Sequence, residues 1–210
     1  MWGKRRVTRL FLAAGVLAMT LAPAMAGGRH AAPARDTGGA AAGTIDPGAA
    51  PFTLHSPDIA PGATIGLTHV YDHSGCSGGN VSPAFSWSHA PAGTRSFALL
   101  MFDSDVPEGG FWHWAVFDIP ATVRSLREGA GDPARNLLPR AAVQTRNDFG
   151  FLGYGGPCPP SGSTHHYHFK LYALRVAKLG LGATAMPEQV DDRVSTEALA
   201  KAEIVAVYGQ

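Results

Sequence analysis

Ser96-Phe97-Ala98-Leu99-Leu100-Met101-Phe102-Asp103 carries six consecutive apolar residues closed by a carboxylate. An unbroken run of this kind predicts a β-strand covered on both faces. A second run, Trp112-His113-Trp114-Ala115-Val116-Phe117-Asp118-Ile119, follows the turn Val106-Pro107-Glu108-Gly109-Gly110 and is stopped by Pro120. Tyr167 to Leu174 reads as a third strand. Thr64 to Tyr71 and Ile204 to Tyr208 read as shorter ones, rich in β-branched residues. Ser195 to Ala202 is the best helix candidate, with Ser195 or Thr196 as N-cap and Glu197 in its first turn. Strands outnumber helices, so the expected class is mainly β, a sandwich of antiparallel sheets with few short helices at its edges.

Composition agrees. The chain has 210 residues, 45% of them hydrophobic, which suits one domain with tails and excludes a wholly disordered protein. Its 26 glycines and 16 prolines make up a fifth of the chain, against about 12% in an average one, as many turns between short strands require. The formal net charge of +1 gives no basic surface for nucleic acid.

Both ends of the leading segment read as an address. Lys4, Arg5, Arg6 and Arg9 precede an apolar run from Leu10 to Leu21, and Ala24-Met25-Ala26 supplies a small-x-small site. Residues 1–26 are expected to be a signal peptide cut after Ala26. An uncleaved anchor is disfavoured, because the run falls short of the ~20 residues of a membrane span. After cleavage, thirteen Lys and Arg face sixteen Asp and Glu, a net charge of −3. No stable membrane insertion is then expected, and the location is secreted or periplasmic. Residues 27–50, nearly all Ala, Gly, Pro and Thr, are expected to form a disordered linker, and residues 51–210 the folded domain.

Cys76 and Cys158 are the two cysteines, both in turn-rich loops. Export favours a disulfide between them, and two free thiols are the alternative. Closing that loop would stabilise the fold by roughly 4 kcal/mol.

Polar groups gather where strands end. Strand periodicity places Asp103 and Asp105 on one side just past the first run, with His113 entering the second among aromatic residues. The Gly/Pro-rich loop Gly153 to Gly162 leads into His165-His166-Tyr167-His168. Alternation points His165 and Tyr167 inward, and His166 and His168 to solvent. Taken singly, the carboxylates can be turn caps and the histidines satisfied core residues. His166-x-His168 suits two imidazole ligands, but the sequence places no third beside them, so neither a metal nor a cofactor is expected.

Together these residues resemble the phosphatidylethanolamine-binding protein family, in its bacterial Raf kinase inhibitor-like branch, over about Phe52 to Tyr208. One signature is Asp103-Ser104-Asp105-Val106-Pro107 with His113-Trp114, where the family has Asp-Pro-Asp-Ala-Pro and then His. Another is Gly156-Pro157-Cys158-Pro159-Pro160-Ser161-Gly162 with His165-His166-Tyr167, where the family has His-Arg-Tyr. Asn80-Val81-Ser82-Pro83 with Trp87, and Gln144 to Gly150, are also similar. The resemblance implies a large antiparallel sheet packed on a smaller one. It also implies a small anion-accepting pocket walled by Asp103, Asp105, His113, Gly156, Pro159, Pro160, His165 and Tyr167. Ser104 in place of proline should loosen the first loop, and His166 in place of arginine removes a permanent charge. Amides of the Gly-rich loop, imidazolium and phenol would donate to phosphate oxygens, with the carboxylates raising both histidine pKa values above about 6.5.

The function expected is that of a secreted, non-catalytic protein binding phosphorylated or anionic small ligands, of the phospholipid head-group type. A secreted inhibitor of another protein, such as a protease, is the alternative; the resemblance also leaves a target protein and a homodimer open. A hydrolase comes third, since neither Gly-x-Ser-x-Gly nor His-Glu-x-x-His occurs.

Overall fold

Two antiparallel sheets, of three and five strands, frame the described residues. The structure, a computed structural model, describes residues 50–107 and 109–210. The expected signal peptide and linker lie outside the described residues, save for residue 50. The strands are β1 (Thr53–His55), β2 (Phe85–Ser88), β3 (Ser96–Asp103), β4 (Phe111–Pro120), β5 (Ser125–Leu126), β6 (Val143–Gln144), β7 (Thr164–Leu174) and β8 (Ala198–Gly209), with helix α1 at Pro187–Glu197. The small sheet has the order β1-β2-β5 and the large one β6-β4-β3-β7-β8.

The central strand β3 is where its apolar run places it, buried on both faces. Phe97, Leu99 and Met101 face the core between the sheets, against Phe85 and Trp87 of β2 and Leu126 of β5. Ala98 and Leu100 face the other way, in a second cluster with Phe117 of β4 and with Val190 and Val194 of α1. Each fully buried side chain of this size stabilises the fold by roughly 1.5–3 kcal/mol. Buried Trp114 gives its indole N–H to Gln144 Oε1 at 3.0 Å, tying β4 to β6.

Three details differ from the sequence reading. The segment expected to be a helix from Ser195 to Ala202 splits. Helix α1 starts earlier, at Pro187, with Met186 N–H bonded to Gln189 Oε1 at 2.9 Å, and it ends at Glu197. Ala198 to Ala202 instead extends β8, which pairs with β7 along its length. Residues 64–71 are not a strand. Thr64 makes a single parallel bridge to Val207, and Leu67–His69 form one turn of 3₁₀ helix.

Candidate functional site

Antiparallel register decides what meets at one end of the large sheet. Asp103, the last residue of β3, lies opposite Phe111 at the start of β4 and opposite Tyr167 near the start of β7. Between these strand ends and the loop before β7 lies a cavity of about 180 Å³. Its polar groups are Asp103, His113 and His165, and its walls are Val106, Phe111, Phe149, Cys158, Pro159 and Pro160. Larger hollows of about 630 and 500 Å³ flank residues 129–140. Of the three, only the smallest sets imidazoles against a buried carboxylate.

Asp103 organises it. The residue is 2% exposed and both its oxygens are bonded. Oδ2 accepts from His165 Nδ1 at 2.7 Å, and Oδ1 from the Asp105 backbone N–H at 2.9 Å. His113 is also 2% exposed, and its Nδ1 lies 2.8 Å from Gly155 O. A carbonyl can only accept, so the N–H of this ring is fixed there and Nε2 keeps its lone pair. That Nε2 is 4.0 Å from Asp103 Oδ2. Burial drives the His113 pKa down to about 4, against the raising effects of Gly155 and Asp103. The expectation that the carboxylates raise it is therefore wrong for His113, because removal from water outweighs the charge.

Asp105, Gly156 and Tyr167 are not on the cavity wall. Strand alternation stops at Asp103; Asp105 follows a bend and turns to the outer face, where Oδ2 bonds His166 Nδ1 at 2.8 Å and the His166 backbone N–H. That backbone bond is the main cause holding the Asp105 pKa below its ordinary value. Tyr167 is fully buried, and its hydroxyl has no hydrogen-bond partner among the described residues. Desolvation, then the charge of Asp103, pushes its pKa up. Gly156 serves close packing, since a Cβ there would sit 2.2 Å from His69 O.

The loop amides are also engaged. Gly155 N–H donates to His113 O at 2.9 Å, Gly156 N–H to Asn80 Oδ1 at 2.8 Å, and Gly162 N–H to Gln210 O at 2.9 Å. The amide donors expected from this loop are in these three cases tied to protein acceptors. The disulfide Cys76–Cys158 is formed and ties the Pro159-Pro160 wall to the loop at residue 76. Gln210 Nε2 adds a bond to Pro159 O at 2.8 Å.

The two faces of β7 separate as alternation predicts: His165 and Tyr167 are buried, His166 is exposed and His168 half-buried. Outside, His168 Nδ1 bonds Glu203 Oε1 at 2.9 Å and Nε2 approaches Ser104 Oγ at 3.1 Å. Sequence reasoning missed Phe149 as a wall and Asn80 and Gly155 as anchors. Phe111 was legible two positions before His113, on the same strand face.

The fold is a β-sandwich with a small polar cavity at one end of its large sheet. A family model for phosphatidylethanolamine-binding protein matches residues 55–209. The chain is 44% identical over 167 residues to UPF0098 protein YbcL of Escherichia coli strain K12, covering 79% of this chain and 91% of that protein. The crystal structure of E. coli YbcL superposes with a TM-score of 0.75 at 43% identity, over 77% of this chain and 99% of that one. A Mycobacterium tuberculosis relative named lipoprotein LppC is 36% identical, over 79% of this chain and 76% of that protein. The chain belongs to the phosphatidylethanolamine-binding protein family.

Proposed function

We propose that this chain is an exported, non-catalytic binding protein whose inner pocket takes a phosphorylated or otherwise anionic small ligand. The observation that carries this reading is the cavity of about 180 Å³ in which two imidazoles converge on buried Asp103. That volume equals the share of about six waters and lies below the ~300 Å³ where drug-sized sites begin. It suits a phosphate or a head group, not an acyl chain. The residues lining the cavity include no Ser, Thr or Tyr hydroxyl, and Cys158 is oxidised, so none of them supplies a hydroxyl or thiol nucleophile. Export is supported by the leading sequence pattern, by the disulfide and by the lipoprotein name of LppC.

Calorimetric titration of exported protein with phosphorylethanolamine and inorganic phosphate tests the ligand, and N-terminal sequencing tests the export. Saturable heat and a start at Gly27 are expected. No heat with either ligand contradicts the first half, and a start at Met1 the second.

One observation favours a hydrolase as second reading: Ser104, His168 and Glu203 form a continuous nucleophile–base–carboxylate chain. It lies on the wet outer face of the sheet, where water weakens the electrostatic stabilisation that acyl transfer depends on. Labelling of Ser104 by a fluorophosphonate, lost in His168→Ala, would favour it over the binding reading.

A further inference from the structure

The hollow of about 500 Å³ beside residues 129–135 shares no lining residue with the inner cavity. Its volume falls within the roughly 300–1,000 Å³ of small-molecule sites. One wall is aromatic. Half-buried Phe151 lines it, with its ring 7° from parallel to Tyr71 and 14° from Phe149, at centroid distances of 5.9 and 6.0 Å. The polar part of the lining is made of planar side chains, those of Asp72, Asn80, Asp132 and Arg135.

These groups are held in place by the fold. Asn80 Oδ1 accepts from the Gly156 N–H at 2.8 Å, so the group left to meet a ligand is its NH₂. Asp72 Oδ1 stands 2.7 Å from His73 Nδ1. Asp132 Oδ1 accepts from the Ala134 N–H at 2.8 Å, and Oδ2 lies 3.5 Å from Arg135 Nε. Arg135 in turn packs on the backbone of Gly129, where φ is +76° and a Cβ would come within 2.5 Å of Nη1. Glycine at 129 is what lets the guanidinium lie there. The hollow thus offers two donor groups and two carboxylate acceptors, and each carboxylate already has a basic side chain against it. An ion finds no concentrated opposite charge in such a place. A hydroxyl, which donates and accepts at once, can use both kinds of group. A ring with hydroxyls around its edge and C–H bonds on its faces can also lie on Phe151, whose π-face is negative.

We propose that this hollow is a binding site for a neutral oligosaccharide. The neighbouring hollow of about 630 Å³ shares Asp132, Pro133 and Leu152 with it, so a ligand of more than one ring can continue across that ridge. Calorimetric titration of the native chain with cellotriose, maltotriose and N,N′,N″-triacetylchitotriose tests the site, with trigalacturonate as the charged counterpart. Saturable binding of at least one neutral trisaccharide is expected, tighter than that of trigalacturonate. Arg135→Ala removes a side chain that is 51% exposed, so the melting temperature should stay as it is. The same variant should weaken that sugar roughly tenfold, the value of one hydrogen bond to a charged group, and leave titration with inorganic phosphate unchanged. Phe151→Ala should weaken the sugar too, with circular dichroism checking the fold. Heat from none of the three neutral sugars, or trigalacturonate binding as tightly, would overturn the proposal and leave the anion-pocket reading standing. Equal sugar affinity in the native chain and both variants would place the sugar elsewhere and overturn it as well.

Discussion

Asp103 with His165 and Asp105 with His166 are drawn from neighbouring positions of the same two strand ends, at 2.7 and 2.8 Å. The first pair is 3% and 10% exposed by side chain, the second 38% and 54%. Identical chemistry is thus placed once in a buried pocket and once on the exposed face. Charges 4 Å apart interact by about 1 kcal/mol in water and several times that near protein. The proposed ligand site is accordingly assigned to the inner pair, where burial strengthens each polar contact. The difference comes from where β3 ends: alternation holds to Asp103 and fails one bend later.

The comparison can be broken most severely at the disulfide. Cys76→Ser with Cys158→Ser should lower the unfolding free energy by roughly 4 kcal/mol in urea titrations and weaken phosphate binding, because the Pro159-Pro160 wall loses its tie. Unchanged stability and affinity would mean that the wall is held by other contacts. Next come the carboxylates. Asp103→Ala should cost about 3 kcal/mol, since the His165 ring N–H and the Asp105 amide lose a buried acceptor. Asp105→Ala should cost less than about 1 kcal/mol, as exposed pairs do. Equal losses would erase the distinction between the pairs.

Acid sharpens it further. His113 has its folded pKa depressed to about 4, so below the unfolded value of about 6.5 the unfolded state binds a proton that the native state refuses. The stability it confers is complete above pH 6.5 and declines as pH falls towards 4. By pH 5 the loss is on the order of 2 kcal/mol, and His113→Gln should flatten that part of the profile. Asp105 acts in a lower window: its pKa is also depressed, so its contribution is present above the unfolded value of about 3.9 and disappears as pH falls through the folded one. Asp105→Asn should change the profile there by only a few tenths of a kcal/mol.

Much of this was legible in the residues themselves. The boundaries of β3 match its apolar run, and the faces of β7 follow from alternation. The helix was misplaced because Leu199-Ala200-Lys201-Ala202 has high helix propensity, which pairing with β7 overrides. Two signals pointed the other way: Pro187 at the first helical position, and the alternation of Ala202, Ile204 and Ala206 inward with Lys201 and Glu203 outward. Asp105 could not be placed by period, because period ends with the strand. The direction of the His113 shift was hidden as well, since the sequence shows the carboxylate beside it but not its burial.

We propose that the buried face of β7, not the exposed one, binds phosphorylated ligands. Calorimetric titration of phosphorylethanolamine against His165→Ala and His166→Ala tests it most directly. His165→Ala should lose roughly 10- to 150-fold in affinity, the value of one charged hydrogen bond, and should also lower the melting temperature, because Asp103 Oδ2 loses its buried donor. His166→Ala, one residue along the same strand, should bind as the native chain does. Equal losses in the two variants, or none in either, would contradict it.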